Sequence, residues 1–192
     1  LHTGDFKIDK QPLLENPLDY SKLENALGGI PSLCVVDSTN MLNENKGMSE
    51  PLRIAPIAKI MEESKGRVIF TSFASNLGRL KIIAEAGEKS GRSIAVFGRA
   101  MNNMLSKALE TSILTDFPTL IDSRKAHMIP RENLLVIATG SQGEIRAASA
   151  QLSRGKYMGL ELEDGDTFVF SSKTIPGNEI SVNMIIYNLS DN

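Results

Sequence analysis

Short apolar runs alternate along this chain with longer stretches whose apolar residues recur at helical spacing. Each apolar run has four or five residues and is rich in Val, Ile or Phe, which predicts buried strands. The predicted strands are 33–36, 67–71, 93–97, 134–138 and 167–171, with a weaker one at 120–121. The predicted helices are 20–27, 52–63, 76–90, 101–110, 144–154 and 179–188.

Strands and helices alternate over most of the chain, an order that is typical of right-handed crossover connections. The sequence therefore predicts an α/β fold, in which a mainly parallel sheet is flanked by helices on both faces. Local signals mark several helix ends. Ser49 and Asn76 are predicted N-caps, and Gly87 is a predicted C-terminal glycine.

Composition and charge limit the classes of function. The chain has 192 residues, of which 41% are hydrophobic and 5% aromatic, so an aliphatic core of ordinary size is expected. The formal net charge is −2, so no overall positive field attracts nucleic acid. A polyanion would have to bind through Arg and Lys side chains that cluster locally.

The single cysteine and the hydropathy pattern indicate a compartment. Cys34 lies in a predicted strand, where a buried and inert thiol is expected, and one cysteine forms no internal disulfide. No apolar stretch approaches the length that spans a membrane, and no basic-then-apolar leader is present. These observations predict a soluble, cytoplasmic protein without a membrane partner.

The candidate chemistry lies where the predicted strands end. In an open parallel sheet, ligands bind outside the carboxyl ends of the strands, where loops meet helix N-termini. Polar loops rich in small residues follow all five confident strands. They cover residues 37–40, 72–76, 98–99, 139–144 and 172–179.

The loop after the fourth strand carries the clearest signal. Gly140 and Gly143 would let the backbone pass close to a ligand, and Ser141 and Gln142 offer side-chain donors. A helix predicted from Glu144 would point its positive end and free amides at the same place, which suits phosphate. The alternative is a helix that Ser141 caps in a glycine-rich turn.

Two arginines near this loop would suit the backbone of a polyanion. Arg79 lies in the first turn of a helix that Asn76 can cap, and Arg99 follows the third strand. Contacts of this kind depend on salt and ignore base identity. Alternatively, each arginine lies in a solvated helix start.

Two aspartates are candidates for a metal centre. Asp5 lies on a glycine turn three residues after His2, where either a turn or a metal ligand is possible. Asp37 ends a predicted strand and is followed by two hydroxyl residues. Its carboxylate could orient a histidine or bind metal. The alternative is that it caps a turn.

In order along the chain, these motifs resemble the ribonuclease J family of metallo-β-lactamase/β-CASP nucleases. The resemblance rests on residues 2–7 (HTGDFK), 37–40 (DSTN), 73–76 (FASN), 98–99 (GR), 139–144 (TGSQGE) and 171–179 (SSKTIPGNE). Members of the family carry a two-metal hydrolase domain that a β-CASP domain interrupts. They degrade RNA from a 5′-monophosphorylated end or cut it internally.

The resemblance implies roles for particular residues. Asp5 would bridge two divalent ions, zinc or manganese, and Asp37 would support a catalytic histidine. The parent would be a cytoplasmic, homo-oligomeric exoribonuclease and endoribonuclease acting on single-stranded RNA. The implied RNA or phosphate contacts are Ser72, Phe73, Ala74, Ser75, Asn76, Arg79, Arg99, Gly140, Ser141, Gln142, Gly143 and Glu144.

The chain also departs from the family pattern. The HxHxDH metal cluster is absent, and His2 and His127 are the only histidines. We therefore expect residues 1–36 to be a flank of the hydrolase domain and residues 37–192 to be the β-CASP domain. This chain alone is expected to bind no metal and to hydrolyse nothing. The alternatives are a self-contained domain that binds a nucleotide or phosphate, and a scaffold domain.

Overall fold

The computed structural model describes residues 1–31, 33–38, 41–42 and 47–190. The chain forms two compact units, Leu1–Arg53 and Ile54–Asn192. The predicted domain boundary between residues 36 and 37 stays a prediction. None of the helices in the described residues is long and apolar enough to cross a membrane.

The first unit contains helix α1 (Tyr20–Leu27), which has the predicted bounds. The Asp19 side chain accepts a hydrogen bond from the amide of Lys22 at 3.2 Å, and Gly28 ends the helix with φ +63°. Both signals act within one helical turn, which explains why the sequence predicts this helix well.

The predicted strand at 33–36 is wrong. Within the described residues, only Val35 of this segment pairs, in an isolated parallel bridge with His2. Leu33 and Val36 are exposed, and so is Cys34, so the expectation of a buried thiol is also wrong. An apolar run becomes a buried strand only where neighbouring strands and a covering layer meet it.

The second unit is built on five parallel strands. They are β1 (Val68–Thr71), β2 (Ser93–Phe97), β3 (Leu120–Ile121), β4 (Leu134–Ala138) and β5 (Thr167–Phe170). Their order across the sheet is β3-β2-β4-β1-β5. Ala138 is in register with Phe97 on one side and Thr71 on the other, so β1, β2 and β4 end level with one another.

Five α-helices lie in residues 54–190, the described part of the second unit. They are α2 (Ile54–Glu63), α3 (Leu77–Lys89), α4 (Arg99–Glu110), α5 (Ala148–Ser153) and α6 (Glu179–Ser190). Short 3-10 turns cover Ser123–Met128 and Arg131–Asn133 in this unit, and Glu50–Arg53 in the first.

The helices cover both faces of the sheet, as predicted. On one face, α3 approaches β4 so closely that a Cβ at Gly87 would overlap the side chain of Leu135. On the other face, Val136 lies in a core cluster with Ala148 and Leu152 of α5. Alternate residues of β4 thus face opposite helical layers, and all its residues are buried.

Three predicted helix ends have different outcomes. Asn76 caps α3 as predicted, because its side chain accepts from the amide of Arg79 at 3.0 Å. Gly87 lies inside α3 rather than at its end, because the close contact with β4 requires a residue without a side chain. The Ser49 hydroxyl instead donates to the carbonyl of Gln11 at 3.1 Å.

Arginine side chains form hydrogen bonds and ion pairs at the edge of the sheet where the strands begin. Arg92 is buried and donates to the carbonyls of Ser64 and Gly66, at 2.7 and 2.8 Å. Burial lowers the pKa of Arg92 below its usual value. Asp166, directly before β5, accepts hydrogen bonds from Arg67 and Arg131. The hydrogen bond with Asp166 raises the pKa of Arg131.

Candidate nucleic-acid interface

Four of the predicted loops lie together at one edge of the sheet. Because all strands are parallel, the loops after β2, β4, β1 and β5 leave the same edge, in that spatial order. We call this set of loops the carboxyl edge; it comprises residues 98–99, 139–147, 72–76 and 171–178. The fifth predicted loop, at Asp37, belongs to the first unit, and Thr39 and Asn40 lie outside the described residues.

The glycines of the β4 loop are required by contacts within the protein. Gly143 has φ +77°, and a Cβ there would overlap the backbone and side chain of Ser181 in α6. Gly140 has φ +105°, and a Cβ there would overlap the hydroxyl of Ser149 in α5. These glycines therefore let the loop pack against two helices, whereas the sequence predicted an approach to a ligand.

A similar contact joins the loops after β2 and β4. A Cβ at Gly98, where φ is +124°, would overlap the side chain of Thr139. Thr139 also accepts from the first amides of α5: its hydroxyl from Ala148 at 3.4 Å and its carbonyl from Ser149 at 3.0 Å. The prediction of a helix from Glu144 with free amides is therefore wrong. The helix begins at Ala148, and Thr139 already satisfies its first amides.

The side chain of Gln142 bonds to the loop after β5. This residue is buried, and its Nε2 donates to the carbonyl of Lys173 at 2.9 Å, while its Oε1 accepts from the amide of Ile175 at 2.8 Å. The backbone amide of Gln142 donates to the exposed carboxylate of Glu144 at 3.0 Å. The RNA contact predicted for Gln142 stays a prediction, but its amide group is engaged inside the protein.

Ser141 differs from its neighbour. Its hydroxyl is buried and has no hydrogen-bond partner among the described residues. Buried hydroxyls in folded proteins are usually satisfied, so this group is an exception: within the described residues, it is the one buried side-chain atom of the β4 loop without a hydrogen-bond partner.

The loop after β1 combines buried and accessible residues. Ser72 and Arg79 are buried, and Arg79 donates through Nη1 to the carbonyl of Ser171 at the end of β5. Phe73 and Ala74 are half-buried, and Ser75 is exposed. Arg79 therefore joins two neighbouring strand ends, whereas the sequence predicted that it would face the ligand.

Exposed positive charge at the carboxyl edge comes from other residues. Arg99 is exposed, as its position suggested, and so are Arg146 in the β4 loop and Lys173 in the β5 loop. None of the three forms a salt bridge with another described residue. Neither Arg146 nor Lys173 was predicted from the sequence: Arg146 fell within the predicted helix 144–154, and Lys173 lies in the predicted loop 172–179 but was not singled out.

In the first unit, the structure joins the segments of the two predicted metal-site aspartates. The amide of Thr3 donates to the carbonyl of Val35 at 3.0 Å, and the amide of Asp37 donates to the Thr3 hydroxyl at 3.3 Å. Asp5 is exposed and follows Gly4, whose φ is +59°. Across residues 1–31, 33–38, 41–42 and 47–190, however, no group of three or more His, Cys, Asp or Glu is arranged to hold a metal.

The parallel sheet and its two helical layers make an α/β fold, which is consistent with a β-CASP domain. Residues 65–189 match the family profile described as "Ribonuclease J, beta-CASP domain". The chain belongs to the ribonuclease J family.

Curated relatives support this assignment. Ribonuclease J of Sinorhizobium meliloti is 40% identical over 187 residues, which are 96% of this chain and 33% of the relative. Ribonuclease J 1 of Streptococcus pyogenes is 41% identical over 191 residues, with shares of 98% and 34%. Ribonuclease J of Thermus thermophilus is 32% identical over 189 residues, with shares of 98% and 33%. The chain thus spans about a third of the length of these relatives.

We predict that Gly143→Ala destabilises the chain more than Gly91→Ala. The two glycines have similar φ values, +77° and +73°, but a Cβ at Gly91 meets nothing within 4 Å. Both variants incur the strain of positive φ, of order 1 kcal/mol, and Gly143→Ala adds the overlap with Ser181. In urea unfolding, we expect a difference of about 2 kcal/mol between the variants. Equal losses would contradict the close packing of the β4 loop on α6.

Proposed function

We propose that this chain is the RNA-binding β-CASP part of a metal-dependent nuclease, and that RNA contacts the carboxyl edge. The observation that carries the proposal is the order of the strands, because it gathers the loops after β2, β4, β1 and β5 at one edge. Membership of the ribonuclease J family supports RNA as the polyanion.

The predicted site residues fall into two groups in this proposal. Exposed or half-exposed groups contact the RNA: Phe73, Ala74, Ser75, Asn76, Arg99 and Glu144, together with Arg146 and Lys173. Buried groups shape the edge from inside: Ser72, Arg79, Gly140, Ser141, Gln142 and Gly143. Arg99, Arg146 and Lys173 supply the charge that attracts phosphates, and Phe73 offers a ring on which a base can stack.

The same geometry argues against a site for one free nucleotide. A phosphate cradle needs backbone amides that point at the ligand. Here the first amides of α5 donate to Thr139, and the amide of Gln142 donates to the carboxylate of Glu144. An extended polyanion that contacts separate exposed cations uses this edge better.

The remaining parts of the proposal concern the whole enzyme. We propose a cytoplasmic homo-oligomer that acts on 5′-monophosphorylated single-stranded RNA, both from the end and internally. Asp5 and Asp37 would contribute to a centre with two zinc or manganese ions, to which the described residues supply too few ligands on their own. Such ions would polarise the phosphate and lower the pKa of bound water.

We predict that Arg99→Gln lowers both the RNA affinity of this chain and its salt dependence. Each phosphate contact with a single strand contributes about 0.7 to the slope of log K against log salt concentration. Removing the exposed charge of Arg99 should reduce the slope by about that amount, measured by fluorescence anisotropy with a labelled oligoribonucleotide.

Lys65→Gln is the matched control for this experiment. Lys65 is also exposed, but it precedes β1 and therefore lies at the opposite edge of the sheet. We expect its variant to retain the slope of the unaltered chain. Equal effects of the two substitutions would contradict RNA binding at the carboxyl edge.

We also predict that the chain alone does not hydrolyse RNA. The reason is that its described residues form no group of three or more metal ligands. Incubation with 5′-monophosphorylated RNA and Mn²⁺ or Zn²⁺, followed by gel analysis, should leave the substrate intact. Cleavage that Asp5→Asn abolishes would contradict the assignment of an incomplete centre.

A further inference from the structure

Gln142 is the point at which the β4 loop meets the loop after β5. The residue is 6% exposed, and its side chain makes four hydrogen bonds to that loop. The amide nitrogen donates to the carbonyl of Lys173 at 2.9 Å and to the hydroxyl of Ser172 at 3.5 Å. The amide oxygen accepts from the backbone of Ile175 at 2.8 Å and from the side chain of Asn178 at 3.3 Å.

These bonds join two strands that are not neighbours. In the sheet, β1 lies between β4 and β5, so the side chain of Gln142 reaches past the end of β1 to the far loop. Arg79, in the first turn of the helix after β1, donates to the carbonyl of Ser171 immediately before that loop. The side-chain amide of Gln142 and the guanidinium of Arg79 therefore connect the ends of β4, β1 and β5 by hydrogen bonds.

The loop at 172–178 makes few other hydrogen bonds to the described residues. Residues 173–177 are exposed, and the backbone bond from Asn178 to Ile175, at 3.0 Å, is internal to the loop. The amide of Gly177 donates to the carboxylate of Glu179 at 2.7 Å, at the start of α6. A loop with little burial has low local stability, and among the described residues its side-chain hydrogen bonds to the rest of the domain are those with Gln142 and Glu179.

We propose that Gln142 is a positioning residue, which holds the 172–178 loop and the exposed Lys173 in the arrangement that meets RNA. This inference rests on the proposed function. A loop that is ordered beforehand binds with less loss of conformational entropy. Without the amide, RNA would have to order the loop on binding, so affinity would fall while the number of phosphate contacts stayed the same.

The test compares Gln142→Met with Gln151→Met in the 192-residue chain. Gln151 lies on α5, outside this set of bonds, so it is a matched control for the substitution itself. The first measurement is amide hydrogen exchange of residues 172–178 without RNA. We expect Gln142→Met to accelerate exchange of the Ile175 amide about tenfold, because the side-chain acceptor is lost, and Gln151→Met to leave it unchanged.

The second measurement is the salt dependence of binding to a single-stranded oligoribonucleotide. We expect Gln142→Met to weaken binding about fivefold with an unchanged slope. Lys173→Gln, in contrast, should lower the slope by about 0.7 without changing exchange in the loop. Gln142→Glu retains the acceptor for Ile175 and loses the donor for Lys173, so it should lie between the unaltered chain and Gln142→Met in both measurements.

Several results would overturn the inference. Unchanged exchange at 172–178 in folded Gln142→Met would show that the amide does not hold the loop, whether or not RNA binds. A lower slope in Gln142→Met would mean that Gln142 contacts a phosphate itself. If the unaltered chain bound no RNA, the proposed function would fail, and the exchange measurement would still decide whether Gln142 holds the loop.

Discussion

The close approach of backbone segments at the carboxyl edge is the constraint on which the rest of this domain depends. Gly143 contacts Ser181 of α6, and Gly140 contacts Ser149 of α5. Gly98, after β2, contacts Thr139, after the neighbouring strand β4. Each contact excludes a Cβ atom and needs a positive φ, so only glycine satisfies both conditions without strain. The loops therefore pack on the helices behind them as closely as side chains pack in a core.

This packing divides the polar residues of the edge into two sets with different physical roles. Gln142 and Arg79 donate hydrogen bonds to backbone carbonyls of the protein, so these carbonyls have partners where the loops meet. Arg99, Arg146 and Lys173 remain exposed and carry positive charge on a chain whose net charge is −2. A firmly placed edge with a few unpaired cations suits a ligand whose phosphates repeat at regular spacing.

Local signals in the sequence predicted much of this fold, and contacts between distant residues decided the rest. Strands β2, β3 and β4 have the predicted bounds, and Asn76 caps α3, because hydrophobic runs and caps act over a few residues. The start of α5 at Ala148 depends on Thr139 of another element, so helical periodicity missed it. Likewise, a pattern of apolar residues could not reveal that Cys34 is exposed, nor that Gln142 bonds to a loop about 30 residues away.

The most direct test of the account is to map an RNA oligomer onto the chain by the amide resonances of the labelled protein. RNA binding at the carboxyl edge predicts shifts that grow with RNA concentration in residues 73–76, 98–99, 139–147 and 171–175, and shrink as salt is added. Amides at the opposite edge, around Arg67, Arg92 and Arg131, should stay unchanged. Shifts confined to that opposite edge, or shifts that ignore salt, would contradict the account.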